Sequence, residues 1–186
     1  MTASERLAEQ LRLGANTAAV VADPSNMFYL TGGYTGEGMV FLSRNRRVIV
    51  TDFRYTEQAE NQAPGYEVQM TEKDRSAFLV IAELAQSEGI TCIRTETNYL
   101  SVDRFDKLRA ALGEEISCVS LEEAPQILRQ VKTPTEILAI RKAYNITAEA
   151  FRAILPKIRE GMTEKELQIE LDFTMLKLGA DTTALV

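Results

Sequence analysis

Short apolar runs of strand character recur along the first two thirds of this sequence, and the stretches between them carry helical periodicity. The runs are "TAAVVA" (17–22), "GMVFLS" (38–43), "RVIVT" (47–51), "YEVQM" (66–70), "TCIRTE" (91–96) and "ISCVS" (116–120). Strands that alternate with helices bury a sheet between helical layers, so the pattern predicts an α/β fold. Only "RNR" separates the second run from the third, too little chain for a crossover. Those two must pair antiparallel, which makes the sheet mixed.

Helix signals fill the intervals. Thr2 and Glu5 form a capping box before Leu7 and Leu11, with a glycine stop at Gly14. "SNMFYLTGG" (25–33) reads as one or two turns closed by Gly32 and Gly33, and Asp52 as the N-cap of a helix over 52–62. A helix over 74–89 places Phe78, Ile81, Leu84 and Ala85 on one face, and another runs from Ser101 to Leu112. Ser120 and Glu123 have the spacing of a further capping box ahead of "APQILRQV".

At "KTPTEILAIRKAYNITAEAF" the character changes. Thr133 as N-cap, Pro134 at the first helical position and Glu136 three residues after the cap start a long helix. Its apolar face is Ile137, Ile140, Tyr144, Phe151, Ile154, Leu155 and Ile158, and Pro156 is placed to kink or break it. Thr163 and Glu166 repeat the capping box and open a last helix with two apolar stripes, Leu167, Leu171, Met175 and Leu178 on one and Ile169, Phe173 and Leu176 on the other. A helix on the surface of a finished domain needs one stripe, so this one expects partners on more than one side. The chain divides into an α/β domain, 1–130, and an opening segment of a second domain, 131–186.

Composition removes several function classes. The 186 residues carry 21 basic and 27 acidic side chains, a net charge of −6, with no basic platform for a phosphate backbone, so nucleic acid is not the expected partner. The basic cluster Arg44 to Arg47 reads as a solvated hairpin tip. Cys92 and Cys118 lie in apolar runs and read as reduced, buried thiols. The N-terminus lacks the apolar core of a signal peptide, and no run reaches the ~18 apolar residues of a membrane span. The expected location is cytoplasmic, with no membrane partner. The sequence has no histidine, which removes the most common ligand and general base of hydrolytic metal centres.

Three stretches together, "NMFYLTGGYTGEG" (26–38), "VTDFRYTEQA" (50–59) and "RQVKTPTEILAIRKAYNITAEAF" (129–151) with "GMTEKELQIELDFTMLKLGAD" (161–181), resemble in the same order the creatinase, prolidase and Xaa-Pro aminopeptidase family. The resemblance implies an N-terminal α/β domain on a mixed sheet, then the first helices of a pita-bread catalytic domain, with the boundary near Val131 to Pro134. It implies a two-metal peptidase mechanism for an intact enzyme, with manganese, cobalt or zinc as the divalent pair, a peptide with proline in second position as substrate, and a homodimer as the assembly. The family's metal ligands, two aspartates, a histidine and two glutamates, lie downstream of a helix ending like Gly179-Ala180. This chain is therefore expected to carry no catalytic residue or metal ligand of its own, to need no cofactor, and to be inactive alone. Asp172 and Asp181 read as solvated charges. The alternatives are a non-catalytic self-association domain of the same fold and part of a creatinase-like amidinohydrolase.

In the family the loop after the "YLTG"-like turn can reach an active site, often a neighbouring subunit's. Here that loop is Gly32 to Gly38, and Tyr34 and Glu37 are the candidate substrate-binding residues. Tyr34 offers a ring face suited to cover a proline, and Glu37 an acceptor for a free amino terminus. The loop has no arginine, unlike the creatinase-like members that hold substrate with arginine and aromatic side chains. In "TDFRYTEQA" Arg54 and Gln58 stand four apart on one helical face and are expected to tie that helix to neighbouring loops.

Overall fold

In a computed structural model, which describes residues 1–183, the chain forms two compact units, Met1–Gln130 and Val131–Val186. The first is built on β1 (Thr17–Val21), β2 (Met39–Leu42), β3 (Arg47–Thr51), β4 (Glu67–Met70), β5 (Cys92–Thr95) and β6 (Ser117–Ser120). They form one six-stranded sheet in the order β4-β3-β2-β1-β5-β6. β2 runs antiparallel to both neighbours and every other pair is parallel, so β2 is the one reversed strand.

Along β1, β2 and β3 successive side chains alternate between two cores. Ala18, Val20, Met39, Phe41, Val48 and Val50 face one helical layer, and Ala19, Val21, Val40, Leu42 and Ile49 the other. This is why those runs are apolar throughout: a central strand covered on both sides has no wet face. One layer is α4 (Ala77–Ser87) and α5 (Val102–Leu112), anchored by Val80, Ile81, Leu84, Leu108 and Leu112. The other is α1 (Ala3–Gln10), α2 (Pro24–Thr31), α3 (Thr56–Gln62) and α6 (Ala124–Gln130), anchored by Leu7, Met27, Leu30, Ala59 and Ala124. The edge strands β4 and β6 carry no fully buried position.

The capping box at Thr2 and Glu5 forms, but Gly14 does not stop α1. Arg12 takes the left-handed conformation at φ 51°, and Leu13 N–H and Arg12 N–H close on the carbonyls of Ala8 and Glu9. That double closure satisfies the helix's last carbonyls before the glycine is reached. Asp52 does not cap α3; its carboxylate takes the backbone N–H of Arg54 at 2.9 Å, and the helix begins only at Thr56. Ser120 does not form a capping box with Glu123, because its hydroxyl accepts Glu122 N–H and bonds Thr97, and α6 begins at Ala124. At the hairpin tip Arg46 and Arg47 pair with Glu67 and Glu5 and do not gather into an anion site.

The second unit consists of α7 (Pro134–Ile154), a 3-10 turn at Leu155–Lys157 containing Pro156, and α8 (Glu164–Lys177). Both helices start with complete capping boxes, at Thr133 with Glu136 and Thr163 with Glu166. Proline has no N–H to give and its ring crowds the preceding turn, so α7 ends at Ile154. Of the apolar face of α7 only Ile154 is buried, together with the neighbouring Ala150. On α8 Met175 is buried and Leu167 and Leu171 half-buried, while Ile169 and Phe173 on the second stripe stay 55% exposed.

Candidate functional site

Five strands end on one edge of the sheet and β2 begins there, so that edge collects the loops after β1, β3, β4 and β5 and the loop before β2. In open α/β sheets ligands bind outside the carboxyl ends of the strands, where neighbouring connections leave for opposite faces. Here α2, which follows β1, and α5, which follows β5, pack on opposite faces. A cleft of about 510 Å³ lies along this edge, lined by Thr35 to Gly38, Thr51 and Asp52, Thr71, Tyr99 and Arg104, with Met27, Met39 and Val50 as apolar surface.

The loop on its rim is folded around a tyrosine. Tyr34 is 1% exposed and belongs to the core beneath the loop. Its hydroxyl donates to the Glu37 carbonyl at 2.7 Å, and Thr51 Oγ1 donates to the same carbonyl at 2.6 Å. Burial pushes the phenol's pKa up. Two glycines make this wrap possible. A β-carbon on Gly36 would stand 2.5 Å from the Tyr34 hydroxyl oxygen, and one on Gly38, at φ 144°, 2.4 Å from the Val50 carbonyl oxygen. Of the two residues singled out in the sequence, Glu37 alone presents its side chain to solvent. Tyr34 turns inward and fixes the backbone that carries Glu37.

Around Glu37 the "TDFRYTEQA" segment gathers charge. Arg54 Nη2 stands 3.3 Å from Glu37 and 2.7 Å from Asp52. The guanidinium holds Asp52 below the usual carboxylate range, and Asp52 raises the Arg54 pKa in turn. Gln58 donates to Thr35 Oγ1 at 2.8 Å and Gln62 Oε1 accepts Thr35 N–H at 3.0 Å, so α3 is stitched to the loop through Gln58 and Gln62, while Arg54 lies in the turn before the helix and does not share a helical face with Gln58. Phe53, between Asp52 and Arg54, is 77% exposed.

One further group escaped the sequence reading. Glu96, at the end of β5, is 1% exposed. Its Oε2 accepts Ala22 N–H at 2.6 Å and Asp23 N–H at 2.7 Å, and its Oε1 accepts Asn26 Nδ2 at 2.6 Å. Asn26 Oδ1 in turn accepts from Arg129 at 2.9 Å, so the network joins β1, α2, β5 and α6. Desolvation raises the Glu96 pKa against the opposing effect of these donors. Its only signal in the sequence is a carboxylate closing the "TCIRTE" run.

Among the described residues no three or more His, Cys, Asp or Glu side chains gather where they could hold a metal ion. Asp172 lies on α8 with Oδ1 buried and unbonded, and Asp181 lies past that helix and is exposed. A hydrolytic pair needs several converging ligands and an open position for water, and these donors do not fit one. Cys92 and Cys118 are free and half-buried; they pair in register with Ser117 and Ile93, so their side chains leave opposite faces of the sheet. No helix among the described residues is long and apolar enough to cross a membrane.

Comparison with known proteins matches residues 4–131 to the family described as the creatinase/prolidase N-terminal domain and residues 139–185 to metallopeptidase family M24. An uncharacterized peptidase of Bacillus subtilis, YqhT, is 30% identical over 165 residues, 89% of this chain and 46% of its own length. Among solved structures, an X-Pro aminopeptidase from Thermotoga maritima superposes with a TM-score of 0.82 at 29% identity, covering 94% of this chain and 50% of that one. An Xaa-Pro dipeptidase from Bacillus anthracis does so with a TM-score of 0.82 at 30% identity, covering 97% and 50%. The chain spans about half the length of the curated relatives it matches.

Proposed function

Because this chain belongs to the creatinase/prolidase N-terminal domain family, we propose that it forms the N-terminal portion of a metal-dependent peptidase acting next to proline, an Xaa-Pro aminopeptidase or dipeptidase. The observation that carries this reading is the succession of the two family matches along one chain, with the break between them at residues 131–139, beside the boundary between the two compact units. A pair of divalent ions, manganese, cobalt or zinc, would activate the attacking water in such an enzyme, held by residues outside this chain. What this chain contributes is shape and a rim. Glu37 accepts the amino terminus of a peptide, and Tyr34 holds the Glu37 backbone in place. The exposed Ile169 and Phe173 stripe supports a helical partner, whether the rest of a pita-bread domain or the second copy in a homodimer. Free thiols and the peptidase reading support a cytoplasmic setting.

The test is expression of the complete open reading frame that contains this sequence, assayed on Xaa-Pro peptides with manganese, cobalt or zinc, beside the 186-residue chain. Turnover by the longer product alone is expected, with Glu37→Gln lowering kcat/KM by roughly tenfold, the loss of one charge-assisted contact. A reading frame that stops after Val186, or turnover by the short chain itself, overturns the proposal. The first result favours a self-association domain.

A further inference from the structure

Three side chains of the first unit form a chain of hydrogen bonds with a fixed polarity. Glu96 follows β5 directly and is 1% exposed, and Asn26, in the first turn of α2, is fully buried. Glu96 Oε2 accepts the backbone N–H groups of Ala22 and Asp23, Oε1 accepts Asn26 Nδ2, and Asn26 Oδ1 accepts Arg129 Nη1 from the last turn of α6. An ionised carboxylate only accepts and a guanidinium only donates, so one orientation of the amide between them satisfies both ends. The amide is set by the charge of Glu96 and passes that setting to Arg129.

A proton on Glu96 inverts the first link. Oε2 faces two backbone donors that the turn after β1 holds in place, so the proton goes to Oε1 and points at Asn26 Nδ2. Two buried donors then face each other, and turning the amide over costs less than leaving both unsatisfied. Once turned, Asn26 gives Oδ1 to the carboxyl proton and presents its NH₂ to a guanidinium that cannot accept. Arg129 loses its acceptor. It is the last but one residue of α6, and the first unit ends one residue later at Gln130. Tyr29, whose hydroxyl donates to the Leu128 carbonyl at 3.3 Å, still ties the same turn to α2, so release loosens the turn without detaching the helix.

The charged and titratable groups around Glu96 come from several elements. Asp23, in the turn after β1, is the neighbouring carboxylate, and its Oδ1 is engaged by the N–H groups of Ser25 and Asn26. Arg94 stands two residues before Glu96 on β5, Arg129 reaches it through Asn26 from α6, and Tyr29 of α2 is engaged by Arg6 of α1. Burial, with Asp23 beside it, favours the protonated acid, so the switch falls above the ordinary carboxylate range.

We propose that Glu96, Asn26 and Arg129 form a proton-operated latch, in which protonation of Glu96 turns the Asn26 amide over and releases Arg129, and with it the last turn of α6 where the first unit ends. The latch lies within the first unit and is independent of the peptidase reading.

The test is nuclear magnetic resonance of the unmodified, isotope-labelled chain between pH 7.5 and pH 4. The Glu96 carboxyl carbon, the Arg129 Nε and the amides of Leu128 to Gln130 are followed together, with hydrogen exchange corrected for the intrinsic effect of pH. One shared midpoint above 4.5 is expected, with exchange protection of those amides falling roughly tenfold across it, the worth of one hydrogen bond to a charged group. In Glu96→Gln the amide N–H₂ takes the place of the carboxyl proton, so Arg129 and α6 should stay in the released position at every pH. In Asn26→Leu, Glu96 should still titrate while Arg129 no longer follows it. The proposal is overturned if Arg129 and α6 stay still while Glu96 titrates, if they move with a different midpoint, or if Glu96 stays ionised until the chain unfolds. A pH response of Arg129 that survives in Glu96→Gln overturns it too, and assigns the response to Asp23. The shared midpoint decides the matter on the unmodified chain even where a variant folds poorly.

Discussion

The carbonyl of Glu37 receives two hydroxyl donors, and that redundancy can be measured. Tyr34→Phe removes the bond at 2.7 Å and Thr51→Val the one at 2.6 Å, each keeping the shape of a side chain that is 2% exposed or less. Either single change leaves the carbonyl with one partner, so each should cost about 1 kcal/mol, the net worth of an ordinary hydrogen bond. The double variant leaves the carbonyl without either donor, so its cost should exceed the sum of the singles by about 1 kcal/mol more. Urea unfolding followed by far-ultraviolet circular dichroism reads all three, with each 1 kcal/mol near 4 °C in Tm for a unit of this size. Tyr34→Ala is the contrast. It empties a core position and should cost ~3–5 kcal/mol. Strict additivity in the cycle, or a Tyr34→Ala loss no larger than that of Tyr34→Phe, would refute the claim that the ring is a core element holding the loop through Glu37.

Two other outcomes follow from the same edge of the sheet. Glu96→Gln puts an amide N–H₂ or a second carbonyl contact where three donors converge, and Asn26 cannot turn to meet it without losing Arg129; the cost is about 1–3 kcal/mol. Because the folded-state pKa of Glu96 is raised, its favourable contribution is complete below the ordinary value of 4.5 and is lost as pH rises through the folded value, so the gap between the native chain and Glu96→Gln should narrow from pH 4 to pH 7. A gap that widens over that range contradicts this. Gly38→Ala forces a β-carbon to within 2.4 Å of the Val50 carbonyl at a backbone angle that side chains avoid, and should cost ~1–3 kcal/mol in a urea melt, whereas a neutral result would mean the loop is not held against β3.

The layers of the first unit were legible because their signals are local. The alternation of strands with helices, the short "RNR" link and the capping boxes at Thr2, Thr133 and Thr163 each depend on residues a few positions apart, and all appear as read. The misreadings are local competitions in which a nearer partner won. Asp52 found the N–H and guanidinium of Arg54, Ser120 found Glu122, and Arg12 took the left-handed turn before Gly14. The site was legible only in part. A tyrosine in a glycine-rich stretch reads as exposed, and nothing near it announces that Thr51 and the Glu37 carbonyl will draw its hydroxyl inward. Glu96 reaches the turn after β1, Arg129 reaches Asn26 and Arg104 reaches the cleft through the topology alone, and spacing cannot foresee that.

The strand order also divides the sheet into two assembly problems. β1 to β4 pair with strands close in sequence, as in Ala19 with Leu42, Met39 with Val50 and Val48 with Glu67, and β5 pairs with β6 in the same short-range way. The remaining seam, Thr17 with Cys92 through Val20 with Thr95, joins chain segments far apart. Loop closure makes that seam the most expensive pairing to form in entropy. Glu96 bridges it just past its last paired residue, through the N–H groups of Ala22 and Asp23. Beyond the ladder itself, a buried carboxylate joins the two groups of strands at the edge where the cleft opens.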